Sequence, residues 1–132
     1  MKRTILFLLA LTILLIAGCA TDQSDPEAPA NAIEAYLEAR ISKDSEAFQS
    51  TYCANFEGTA ITEFDSFGAV EAELVDMICT VDSTEDGQAQ VSCSGSIDVV
   101  YDGENTNSLD LARQTYVAAQ EDGEWKMCGY TS

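Results

Sequence analysis

The chain has 132 residues, with 23 Asp and Glu against 6 Lys and Arg, no His, and a formal net charge of -17. That length fits one domain. The acidity excludes nucleic acid as a partner, because the cations are too few to neutralise a run of phosphates. The missing His excludes Ser-His-Asp and Cys-His catalysis and removes the side chain best suited to proton transfer at neutral pH.

The start of the chain reads as an export address. Lys2 and Arg3 form a short positive segment, Ile5 to Ile16 is apolar apart from Thr12, and Ile16-Ala17-Gly18-Cys19 follows. This is the layout of a secretory signal. It closely resembles the bacterial lipobox, in which small residues lead into a Cys that is lipidated and becomes the mature N-terminus. The apolar run, about a dozen residues, is short for a membrane span, which needs roughly 20. The resemblance implies a lipoprotein signal peptide over residues 1–18 and lipidation of Cys19. Cleavage there takes 18 of the 132 residues and leaves 114. Lys2 and Arg3 leave with the signal and every acid stays, so 4 basic and 23 acidic side chains remain, a net of -19. The expected location is exported, lipid-anchored to the bacterial cell envelope, at the outer face of the cytoplasmic membrane or at the outer membrane. Multiple acyl chains make such anchoring stable.

Residues 19–28 carry the lipidated Cys and a flexible, acidic, Pro-bearing tether with nothing to bury. From residue 29 the pattern becomes that of a folded domain running to 132. Ile33, Tyr36, Leu37 and Ile41 recur at helical spacing, with Glu34, Glu38 and Arg40 elsewhere on the turn. Asp44 is a natural N-cap for a second helix, whose stripe is Ala47, Phe48, Thr51 and Tyr52 and which ends at Cys53. A short third helix is expected from Thr59 to about Phe64, and Gly68 closes the region.

After Gly68 the period turns to two. Val75, Met77, Cys79 and Val81 alternate with polar or mixed positions. Ala89, Val91, Cys93, Gly95, Ile97, Val99 and Tyr101 alternate with polar residues and form the clearest strand. Leu109 to Ala119 and Trp125 to Tyr130 supply two more. Glu85-Asp86-Gly87, Asp102-Gly103-Glu104-Asn105 and Glu121-Asp122-Gly123 have turn chemistry. Three-residue loops at 85–87 and 121–123 set Val81 against Val91, Cys79 against Cys93, Val75 against Ile97 and Val117 against Met127. With Tyr101 opposite Leu109, the odd positions of all four strands then share one apolar face. The predicted class is α+β: N-terminal helices packed on a four-stranded antiparallel meander.

Apart from Cys19, the cysteines are Cys53, Cys79, Cys93 and Cys128. Four in a small exported domain read as two disulfides. There is no C-x-x-C pair and no His ligand, so no metal site is expected. The strand register pairs Cys79 with Cys93 and leaves Cys53 for Cys128, although Cys128 falls on the even face with Lys126 and Tyr130. The alternative is Cys53–Cys79 with Cys93–Cys128.

Two stretches carry a family resemblance. Pro29-Ala30 leads into Ile33-Glu34-Ala35-Tyr36-Leu37-Glu38-Ala39 and then Lys43-Asp44, and the chain closes on Tyr116-Val117 and Glu121-Asp122-Gly123-Glu124-Trp125-Lys126-Met127. Over about residues 29–130 the chain resembles the NTF2-like superfamily, including its SnoaL and ketosteroid-isomerase-like members. The resemblance implies a sheet curved around helices, a cone with an apolar pocket. Some members are isomerases or cyclases; many bind small molecules or dimerise, so the fold alone does not give the activity.

No catalytic constellation stands out, and no cofactor is expected. Asp76 and Asp98 fall on the wet sheet face, where a solvated carboxylate is a poor base. Arg113 is the one basic residue predicted on the apolar face, opposite Ile97, where a guanidinium needs a partner or an anionic ligand. Tyr36, Tyr101, Trp125 and Met127 could line the same pocket or simply fill the core. The acidic stretches 82–86 and 102–107 lack the ordered ligand spacing of a calcium loop. Expected partners are the membrane, through the lipid anchor, a small apolar or anionic ligand, and a second copy of the chain packed on Ile78, Ala112, Tyr116 and Ala118. The functional expectation is a non-catalytic binding or interaction module at the envelope; the alternative is a small-molecule isomerase or cyclase.

Overall fold

A computed structural model describes residues 25–131. The expected signal peptide 1–18, Cys19 and most of the expected tether lie outside the described residues. Helix α1 spans Ala28–Ser42, with Pro29 in its first turn and Lys43 ending it in the left-handed conformation. Its inward stripe is Ile33, Tyr36, Leu37 and Arg40. Helix α2, Ser45–Gln49, starts at Asp44, whose side chain accepts the Ala47 N–H at 3.0 Å, the predicted cap. A 3-10 turn, Ala54–Phe56, leads into α3, Glu57–Ser66. No helix among the described residues is long and apolar enough to cross a membrane.

Five antiparallel strands follow: β1 Glu71–Glu85, β2 Gln88–Tyr101, β3 Asn105–Asp110, β4 Thr115–Glu121 and β5 Glu124–Thr131. The sheet runs β1-β2-β4-β5, and β3 pairs with the far half of β2. The expected α+β architecture is present, with one strand more than predicted. The stretch Leu109 to Ala119 is not a single strand, because Asp110 caps a 3-10 turn at Leu111–Arg113 by accepting the Ala112 N–H at 2.9 Å. The break lets β3 and β4 pair with separate halves of β2, and Tyr101 faces Asn105 instead of Leu109.

The loops also correct the register. Asp86-Gly87 and Asp122-Gly123 are two-residue turns with positive φ at both residues, the mirror-image geometry that matches strand twist. A bulge at Asp82 offsets the first of these, so Val81 still faces Val91 and Cys79 still faces Cys93. A second bulge at Asp76 and Met77 then moves Leu74, not Val75, opposite Ile97. Gly95 permits that bulge: its φ is +93°, and a Cβ there would strike the Val75 carbonyl oxygen. On β4 nothing offsets the shorter turn. Ala118 pairs with Met127 and Ala89, and Tyr116 with Val91, so the even positions of β4 face the core. Tyr116 and Ala118 are buried. The surface expected to hold a second copy therefore loses both, while Ile78 stays 64% exposed.

The core lies between α1 and the concave face of the sheet. Ile33, Tyr36 and Leu37 meet Val91, Ile97, Val99 and Met127 there. Both disulfides follow the predicted pairing, Cys79–Cys93 with Cα atoms 4.1 Å apart and Cys53–Cys128 at 5.0 Å. Cys53 reaches Cys128 sideways, across the edge of β5. Thr51 O accepts the Met127 N–H at 2.8 Å and Met127 O accepts the Cys53 N–H at 2.9 Å, so 51–53 lies as one parallel rung on the edge of β5.

Candidate functional site

The helical stripe of α1 puts Arg40 one turn after Tyr36 and Leu37, inside the domain. On α3, Glu63 follows buried Ala60 and precedes Phe67 at the same spacing. The two meet: Arg40 Nη1 donates to Glu63 Oε2 at 2.5 Å. Tyr36 donates its hydroxyl to the same oxygen at 2.7 Å. From β5, Tyr130 donates to Glu63, 2.8 Å from each carboxylate oxygen. One carboxylate on α3 thus gathers two phenols and a guanidinium from two other elements, α1 and β5. The Arg40 guanidinium carbon sits 5.4 Å from the Tyr36 ring centre and 5.2 Å from that of Phe67, so both rings stabilise the cation. Arg40 Nε is buried and has no hydrogen-bond partner among the described residues.

Burial pushes the phenols of Tyr36, Tyr130 and Tyr116 above their ordinary range, and the Glu63 charge adds to that. All three remain protonated donors across the neutral range.

Beside this network opens a cavity of about 340 Å³. Arg40, Glu63 and Phe67 form its floor; Tyr116, Tyr130, Ile97 and Leu111 form its walls; Asp110, Arg113 and Gln114 stand at its rim. Its size and mixed lining fit a small-molecule site. A larger groove of about 510 Å³ runs over the outer side of α2 and α3, past Phe48, Tyr52, Ile61 and Phe64. Its rim charges answer one another, with Lys126 Nζ 3.6 Å from Glu121, and it encloses no comparable polar network.

Of the five residues expected at a pocket, two belong to this site. Tyr36 is fully buried and binds Glu63. Arg113 lines the cavity, but from an exposed place on the 3-10 turn, not from the buried sheet face. The buried guanidinium is Arg40. Tyr101 is 43% exposed beside its hairpin, Met127 fills the core, and Trp125 packs half-buried against that core; none of them lines this cavity. Asp76 is exposed, and Asp98 accepts from Ser96 and Ser108 at 3.0 and 2.7 Å, which keeps both out of the cavity. The acids at 86, 102 and 122 serve as positive-φ turn residues.

Arg40, Glu63, Tyr116 and Tyr130 are not among the residues the sequence places at a pocket; Tyr116 is expected instead on the surface for a second copy. Spacing carried a signal for the first two, since residues 33, 36, 37 and 40 share one helix face, as do 60, 63, 64 and 67. Tyr130 carried none. One extra residue at Cys128 between the Val117–Gly129 and Ala118–Met127 pairs returns Tyr130 to the inner face already occupied by Met127.

No family model matches the sequence, and no curated protein sequence matches it. Solved structures do resemble it in shape. A protein of the NTF2-like family from Streptomyces avermitilis, assigned as a dehydratase, is 16% identical, with 79% of this chain and 91% of that one covered, at a TM-score of 0.56. A SEC-C motif containing protein from Rhodopseudomonas palustris is 11% identical over 81% of this chain and 80% of its own, at 0.53. An uncharacterized protein with a cystatin-like fold from Caulobacter vibrioides is 14% identical over 80% and 89%, at 0.52. At such identities the likeness is one of fold, and the fold is the α+β cone of NTF2-like proteins.

Proposed function

We propose that this chain is a lipid-anchored, extracytoplasmic binding module whose ligand occupies the cavity between α3 and the sheet. The observation that carries the binding role is the cavity of about 340 Å³ built beside a closed Tyr–Glu–Arg network. Supporting the location are the lipobox-like Ile16-Ala17-Gly18-Cys19 and two disulfides of the kind that persist in oxidising compartments. The network favours binding over catalysis, because Tyr36, Arg40 and Tyr130 already donate to Glu63. Native mass spectrometry of the protein taken from the membranes of the cells that make it tests both halves. Expected are a covalent lipid mass on a chain starting at Cys19 and a small molecule lost on denaturation. An unlipidated chain refutes the anchor, and an empty one refutes the cargo.

A second reading, an isomerase- or cyclase-like enzyme, draws on the same enclosed carboxylate. Among the described residues only Tyr130 reaches Glu63 Oε1, which leaves acceptor capacity on that oxygen for a substrate proton. Deuterium exchange into the acidic C–H positions of small β-keto compounds, lost in Glu63→Gln, is its test.

A further inference from the structure

The polar groups around the cavity are unevenly satisfied. Its acids are occupied: Glu63 accepts from Tyr36, Arg40 and Tyr130, and Asp110 accepts the Ala112 N–H. Its cations are not. Arg40 has five N–H donors, and the hydrogen bond it makes among the described residues runs from Nη1 to Glu63. Tyr36 and Phe67 cover the guanidinium faces, and Nε is buried without a partner. Nε is sealed from solvent, so the donor left to meet a ligand is Nη2, which makes no hydrogen bond among the described residues. Arg113 stands at the rim of the same cavity. These are the only two arginines after residue 18 in a strongly acidic chain.

We propose that the cavity selects a monocarboxylate carried on an apolar body. The carboxylate bridges Nη2 of Arg40 and the Arg113 guanidinium, and the body lies against Phe67, Ile97 and Leu111. A neutral ligand leaves Nη2 unmatched, and a dianion meets Glu63 beside it. This inference rests on the binding-module reading and adds the ligand class to it.

Phenylbutyrate and phenylbutanol share one apolar body and differ in the head group, so they make a matched pair of probes. The oxidised protein is titrated with each at neutral pH, following the arginine Nε–H signals by heteronuclear NMR. After signal removal only Arg40 and Arg113 contribute such signals. Expected is a shift of the Arg40 signal by the acid and at least about tenfold tighter binding of the acid than of the alcohol. Arg113→Gln, a change at an exposed position, should weaken the acid several-fold and leave the alcohol alone. Arg40→Lys keeps the charge but loses the second nitrogen that meets the ligand while the first holds Glu63, and should abolish the preference; if it does not fold, Arg113→Gln still decides. Equal affinity for the two compounds, or acid binding that leaves the Arg40 signal unmoved, overturns the ligand class while the binding module stands. Binding of neither compound overturns both.

Discussion

Replacing Glu63 by Gln keeps the shape of the side chain and removes its charge. Gln can still accept from Tyr36 and Tyr130, so the loss falls on Arg40, left as a cation with no carboxylate. Breaking a buried ion pair from one side costs about 3–5 kcal/mol. The Arg40 side chain is 9% exposed, but that of Glu63 is 24% exposed, and solvent at the cavity absorbs part of the loss. About 2–3 kcal/mol is therefore expected, a large share of a small domain's stability. Urea denaturation at neutral pH measures it, with an unchanged slope confirming that compactness is preserved. Arg40→Met on its own should cost a similar amount. The double variant should cost less than the sum by about 1–3 kcal/mol, because no charge is left stranded. A Glu63→Gln loss below about 0.5 kcal/mol, or a cycle that simply adds, refutes the role of the pair.

Further outcomes follow from the same contacts. Removing Cys53–Cys128 by Ser substitution at both ends should cost about 4.5 kcal/mol, since it closes 75 residues of chain; removing Cys79–Cys93, which closes 14, should cost about 3. Denaturation midpoints of the two variants check the order. Gly95→Ala forces a side chain into positive φ against the Val75 carbonyl and should destabilise the domain by at least about 2 kcal/mol; equal thermal midpoints would contradict the bulge. The phenols of Tyr36, Tyr116 and Tyr130 bind their protons more tightly in the folded state than in the unfolded chain. Their contribution is complete below the unfolded value of about 10 and is lost as pH rises towards the folded values. Absorbance of ionised tyrosine should therefore rise for these three only together with loss of the fold, and smooth titration in the folded state contradicts their burial.

The legible parts of this sequence were those governed by local rules. Asp44 as an N-cap, the stripe Ile33-Tyr36-Leu37 and the alternation of β2 are readable from neighbours alone, and all three stand in the structure. The disulfide pairing was readable because the bulge at Asp82 offsets the shorter Asp86-Gly87 turn across Cys79–Cys93. What alternation cannot show is the place where a strand gains a residue. The bulges at Asp76 and Cys128 and the 3-10 break at Leu111 each invert the faces beyond them. Those inversions sent Tyr116 and Tyr130 inward and left Arg113 outside. Arg40, which the spacing sets off the stripe of Ile33, Tyr36, Leu37 and Ile41, lies on the buried face of α1, and Glu63 lies on the face of α3 that carries Ala60. Charged residues on such faces pair with each other across two helices, and that partnership appears only once α1 and α3 are brought together.

The cavity as a site of binding is tested most directly by blocking it. Ser66 is exposed at the end of α3 and lines the cavity, so Ser66→Trp should plug it at the loss of one hydroxyl bond to the Glu63 backbone oxygen, with the Tyr–Glu–Arg side chains kept. Native mass spectrometry of both proteins from the same cells should find a small molecule on the wild-type chain and none on the plugged one. An empty wild-type chain, or an equally loaded variant, contradicts a binding role for this cavity.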